Sequence, residues 1–111
     1  MNWTPLTTEN QLEEIIQNSH SQPVMIMKHS TTCSISATAL ARLERAWKPE
    51  AAGDLLPYYL DLLNYRAISN QIAQTFGVQH ESPQVLIIKN GKSVYDASHF
   101  EIRFNEIVKE L

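Results

Sequence analysis

Apolar residues fall along the 111-residue chain in blocks that alternate between helical and extended spacing. In TTENQLEEIIQNSH, Leu12, Ile15 and Ile16 recur at helical intervals, and Thr8 followed by Gln11 has the pattern of a capping box, so the first element is expected to be a helix. PVMIMKH follows, and its four uninterrupted apolar residues, Val24 to Met27, predict a strand buried on both faces. Ile35, Ala39, Leu43 and Trp47 then fall every fourth residue, a stripe by which a second helix can face a sheet, with Pro49 stopping it.

EAAGDL reads as a loop and PYYLDLL as a second strand. Ile68, Ile72 and Phe76 place a third helix next, with Gly77 as its left-handed stop. In QVLIIKNGKSVYD, Asn90-Gly91 separates two strand-like runs and is the preferred sequence for a type I′ hairpin turn. The last helix is expected to begin at Ser98, with Glu101 completing a capping box, and to present Phe104, Ile107, Val108 and Leu111 along one side. A short extra strand is possible near Trp3.

A strand–helix–strand unit requires a parallel pair, while the terminal hairpin adds antiparallel strands. The expected fold class is therefore α/β, a mixed central sheet with helices on both faces, and this is the element order of the thioredoxin fold. The length, with 43% hydrophobic residues, suits one globular domain over residues 1–111 with a core that needs no disulfide or metal staple.

Charge narrows the range of partners. A formal net charge of -3 without a cluster of Lys and Arg removes the electrostatic term that dominates nucleic-acid affinity, so no nucleic acid is expected. No apolar run approaches the roughly 20 residues that cross a bilayer, and MNWTPLTTENQ lacks the pattern of a secretion signal, so no membrane association and a cytoplasmic location are expected. His20, His29, His80 and His99 show no pairing with cysteine at metal-ligand spacing, and no metal site is expected.

The remaining chemistry lies in KHSTTCSIS, which holds Cys33, the single cysteine, where a strand runs into a helix. A buried cysteine is commonly an inert small hydrophobe. Here the predicted helix start places the sulfur at the positive end of the macrodipole, where unpaired backbone N–H groups favour a thiolate by about 0.3–1 kcal/mol. Ser36, three residues on, can donate a hydrogen bond to that thiolate or bond nearby backbone instead. As a hydroxyl it cannot attack a disulfide, so an adduct on Cys33 must be released by a thiol from outside the chain.

Residues flanking the motif have alternative readings. Lys28 and His29 end the first core strand; a cation there can stabilise a thiolate or bind a carboxylate, but a solvated lysine and a surface histidine are the favoured readings. Thr31 and Thr32 are candidates for capping the helix, and Thr32 would also border a pocket at the sulfur. His99 reads as a first-turn helix residue. Pro83 reads from sequence statistics as a trans proline opening a strand.

VMIMKHS, the cysteine at the next helix start, FGVQHESPQVLIIKNGK and the closing helix together resemble thioredoxin-like proteins over nearly the whole chain. More narrowly, KHSTTCSIS and SHFEIR resemble the YtxJ-type monothiol bacilliredoxins, whose usual motif is T-C-P-I-S; Ser34 stands where that family has proline. The resemblance implies a cis Pro83 facing the nucleophile, with the backbone of Ser82 free to pair with an extended substrate. It also implies thiol–disulfide exchange, with bacillithiol or another low-molecular-weight thiol as co-substrate and no bound cofactor. Catalysis is then expected from Cys33 and Ser36, and substrate contacts from Lys28, Thr32, Ser34, Ser82 and Pro83. The partners would be S-thiolated cytosolic proteins, met by a monomer or weak dimer. Thioredoxins keep a buried acid six residues before the nucleophile; Met27 occupies that place here. Two other classes stay open, a glutaredoxin-like iron–sulfur carrier, whose members typically read C-G-F-S, and a redox-silent interaction module.

Overall fold

The computed structural model describes residues 2–111. Its five-stranded sheet has the order β1-β3-β2-β4-β5. The edge strand β1 (Thr4–Pro5) and the central β2 (Val24–His29) both pair in parallel with β3 (Leu56–Asp61). On the other side of β2, β4 (Gln84–Lys89) runs antiparallel, and β5 (Lys92–Ser98) returns antiparallel to it. The sheet is mixed, as the sequence predicts, and β1 supplies the extra strand beside Trp3.

β2 is buried along its whole length, including its polar end at Lys28 and His29. Alternate residues of a strand face opposite sides, so the flanking helices divide the core in two. Met25, Met27, Val85 and Ile87 pack with Ala39 and Leu43 of α2 (Ser34–Ala46) and with Phe104 and Ile107 of α5 (Phe104–Val108). Val24, Ile26, Leu86 and Ile88 pack on the other face with Leu12 and Ile15 of α1 (Glu9–Asn18) and Ile68 and Ile72 of α4 (Arg66–Phe76). Each such Val, Leu, Ile, Phe or Met side chain contributes roughly 1.5–3 kcal/mol of burial free energy, so both layers hold β2 firmly beneath the loop that leaves it.

Local chemistry sets most boundaries. Thr8 and Gln11 form a reciprocal capping box at α1, and Gly77 ends α4 at φ 66°, a conformation glycine adopts without steric cost. Asn90 and Gly91 both have positive φ, as a type I′ turn requires. That turn is fastened to the end of α1, where Gly91 N donates to Ser19 Oγ at 2.8 Å and Asn90 N to Ser19 O at 2.8 Å.

Two boundaries and one buried stripe differ from expectation. EAAGDL is partly helical, because Pro49 opens the short α3 (Pro49–Ala52) as its N1 residue as well as following the end of α2. The closing helix does not begin at Ser98: that residue still pairs with Gln84, a 3-10 turn follows at His99–Glu101, and α5 starts at Phe104 without a side-chain cap. Sheet pairing with β4 outweighs the local capping pattern. Ile35 is 44% exposed, so the buried stripe of α2 runs through Ser36, Ala39 and Leu43 instead.

Candidate active site

β2 delivers the chain to the site at His29, and Cys33 N then donates to Ser30 O at 3.2 Å, closing a turn. Cys33 is the N-cap of α2, with extended backbone (φ -105°, ψ 120°), and its carbonyl accepts the first helical bond from Ala37 N at 3.0 Å. The cysteine is therefore the cap; Thr31 and Thr32 stand exposed before it rather than capping, and Thr32 Oγ1 lies 3.4 Å from Ser30 Oγ. The thiol is free and half-buried. Its side chain makes no capping bond, which leaves it beside the first-turn amides of a 13-residue helix, donors suited to a thiolate.

Ser34 is exposed at N1, where a proline is also readily accommodated, and its carbonyl accepts from Thr38 Oγ1 at 2.9 Å. Ser36 is wholly buried. Its Oγ lies 2.7 Å from His29 Nδ1 and accepts from Ser30 N at 3.0 Å, so in this structure the hydroxyl binds the end of β2 rather than Cys33.

The expectations for Lys28 and His29 are corrected: both are buried, Lys28 completely and His29 at 6% exposure. Period-two alternation sends them to opposite faces. His29 continues the Met25–Met27 row beneath α2. Burial lowers its pKa, opposed by the charges of Asp61 and Glu44 and by the bond with Ser36. Lys28 continues the Val24–Ile26 row toward α4, where its Nζ donates to Ser69 O at 3.3 Å and lies 3.3 Å from His80 Nδ1. Burial without a carboxylate partner lowers the Lys28 pKa to about 8. The lysine is thus neither solvated nor on the face of α2, and its ammonium secures the segment before Ser82 through His80.

The Ser82–Pro83 peptide is cis, opposite to the reading from sequence statistics alone. Pro83 is buried, and its carbonyl accepts from His99 N at 3.1 Å, which joins the start of β4 to the 3-10 turn. Ser82 is half-buried, with a hydroxyl that has no partner. His99 lies in that turn at φ 55°, with its ring 4.0 Å from Glu81. Arg42 of α2 holds the same turn, donating from Nη2 to the carbonyls of Phe100 and Ile102 at 3.2 Å each. Phe100, 63% exposed, and Ile35 are thereby apolar side chains at the surface on the α2 side.

What composition and spacing missed is the burial of His29 against Ser36. Its signal was available: Met25, Met27 and His29 share one strand face, and that face continues into the buried stripe of α2 at Ser36. Among the described residues, no three His, Cys, Asp or Glu side chains gather to hold a metal ion, and no helix is long and apolar enough to cross a membrane.

Sheet order, the cysteine at the start of α2 and the cis proline before β4 define a thioredoxin-fold protein with a single thiol. The comparisons agree on the fold. A solved structure of thioredoxin fold, with a provisional oxidoreductase assignment, is 31% identical, with TM-score 0.80 over 95% of this chain and 89% of its own. The Fasciola hepatica thioredoxin is 17% identical with TM-score 0.73, covering 96% of each chain. A Malassezia sympodialis thioredoxin is 12% identical with TM-score 0.75, over 98% of this chain and 90% of its own. The family description monothiol bacilliredoxin BrxC matches residues 4–107. The chain belongs to that family.

Proposed function

We propose that the protein removes a low-molecular-weight thiol, bacillithiol, from S-thiolated cysteines of cytoplasmic proteins. The Cys33 thiolate attacks the small-thiol sulfur of the mixed disulfide; the new bond is Cys33–S–S–R, the old S–S bond breaks, and the protein thiolate leaves with the electron pair. A second small thiol attacks the adduct, yielding the symmetric small-thiol disulfide and regenerating the Cys33 thiolate. The observation that carries this reading is the placement of the only cysteine, half-buried and free at the N-cap of α2.

The surroundings suit this exchange. Thr32 and Ser34 flank the sulfur on the exposed side. The backbone at Ser82 is available to an extended substrate segment, and Ile35 and Phe100 offer apolar contact to the partner protein. Neither Lys28 nor a bound cofactor takes part. The protein acts as a monomer or weak dimer.

The test is to incubate the reduced protein with a bacillithiolated substrate and weigh both products. One bacillithiol should appear on Cys33 while the substrate returns to its reduced mass. A substrate that keeps its adduct, with Cys33 unmodified, would contradict transfer.

A further inference from the structure

The C-terminal half of α2 and the segment from Ile102 into α5 leave an open groove between them, at the other end of α2 from Cys33. It consists of two adjoining cavities, about 220 and 420 Å³, that share Ala46, Phe104 and Asn105. Leu43, Ile102 and Phe104 are buried and form an apolar floor. Ala46 and Ala51 are exposed beside it, where short side chains leave that floor open to a ligand.

Cations stand at both ends of the groove. Arg42 and Arg103 line the first cavity and Lys48 the second, and among the described residues no carboxylate lines either one. This local charge is the reverse of the formal net charge of -3 carried by the whole chain. None of the three cations makes a salt bridge among the described residues. Glu44 and Glu106, close to them in sequence, are engaged elsewhere, accepting from Trp3 Nε1 at 2.9 Å and from Lys109 Nζ at 3.3 Å. Arg42 uses Nη2 for the carbonyls of Phe100 and Ile102 and its Nε has no partner, so the protein does not saturate this guanidinium.

We propose that a partner protein docks in this groove through an acidic segment. An apolar side chain of that segment enters between α2 and α5, and carboxylates before and after it meet Arg42 and Arg103 at one end and Lys48 at the other. Charge at both ends decides the kind of occupant. A fatty acid or other single-headed amphiphile has one anionic group beside its apolar tail and leaves the far cation unmatched. A peptide segment carries several carboxylates, the planar acceptors that guanidinium groups bind best. The cations then set orientation and speed of encounter, while the apolar floor supplies the anchor. The inference uses neither the reaction of Cys33 nor the identity of the small thiol.

NMR titration of the isotope-labelled full chain tests this, with a blocked synthetic peptide in which a central Leu-Phe pair is flanked on both sides by Glu. The amides of Ala46, Ala51, Asn105 and Val108 should shift, and the affinity should fall as salt is added. The same peptide with Gln for Glu should bind roughly tenfold more weakly, and K48E combined with R103E should weaken the acidic peptide about tenfold while alkylation of Cys33 keeps its wild-type rate. Equal affinity for the Gln peptide, unchanged affinity in the double variant, or no shift with either peptide would overturn the proposal. So would decanoate moving these amides at lower concentration than the peptide, which would assign the groove to a single-headed amphiphile. Peptide-free shifts that grow with protein concentration would overturn it as well, in favour of a second copy of this chain.

Discussion

Lys28 and His29 are adjacent on β2, yet the Lys28 ammonium lies against Ser69 and His80 beneath α4, while His29 Nδ1 sits 2.7 Å from Ser36 Oγ beneath α2. One strand end thus holds two buried basic groups on opposite faces. One supports the segment leading to Pro83, and the other supports the start of the cysteine helix.

The Lys28 environment gives a pH dependence of stability. Its folded pKa of about 8 lies below the ordinary value of 10.5, so between these limits the unfolded chain binds more protons and stability rises with pH. The penalty below pH 8 amounts to about 3 kcal/mol, of which about 2 kcal/mol is recovered between about pH 7.5 and 9.5. Tyr58, Tyr59 and Tyr95, with raised pKa values, act in the opposite sense only at about pH 10 and above. K28M should lack this rise in urea denaturation; a wild-type slope that survives in the variant would refute the assignment.

K28M also separates support from substrate contact. On the proposed mechanism Lys28, its ammonium buried on the α4 face, makes no contact with the small thiol, and transfer by the variant should stay within about threefold of wild type, since no transition-state contact is lost. A large rise in KM for the small thiol alone would show that the lysine binds it.

Ser34 replaces the proline of the family motif at N1 of α2. An N-cap side chain bonds the amides of N2 or N3, so proline at N1 removes none of the donors that a Cys33 thiolate needs. S34P should therefore raise stability by about 0.4–1 kcal/mol through the unfolded chain. Its alkylation rate near neutral pH should remain within about twofold, because the relevant amides remain. A large loss of thiol reactivity would show that the Ser34 amide or hydroxyl acts on the sulfur.

Arg42 ties α2 to the 3-10 turn that carries Phe100. R42M removes two hydrogen bonds from a charged donor and should cost about 1.5–3 kcal/mol. Hydrogen exchange should accelerate first at His99 to Ile102. Uniform acceleration across the sheet would indicate a global effect instead.

Much of this molecule is legible in the chain itself. Val24 to Met27 announce the central strand, Asn90-Gly91 the hairpin and Thr8 with Gln11 the first cap, because each is decided by local chemistry or a strong apolar run. Long-range contacts decide the rest. Ser98 satisfies a capping pattern but is claimed by Gln84 across the sheet, and the burial of Lys28 becomes apparent only when Ser69 and His80 arrive from a distant segment. The motif around Cys33 marks the candidate reactive residue. It does not say that Ser36 faces His29, which depends on the angle at which α2 leaves the sheet.

The central claim is that a single thiol forms an adduct that only an outside thiol releases, and the lifetime of that adduct tests it most directly. Cys33 loaded with one bacillithiol is freed of excess reagent and followed by intact mass, then given fresh bacillithiol. The loaded mass should persist until the addition and then fall to that of the reduced chain, with the symmetric disulfide released. Loss of the adduct before any thiol is added, or an adduct that survives the addition, would contradict the account.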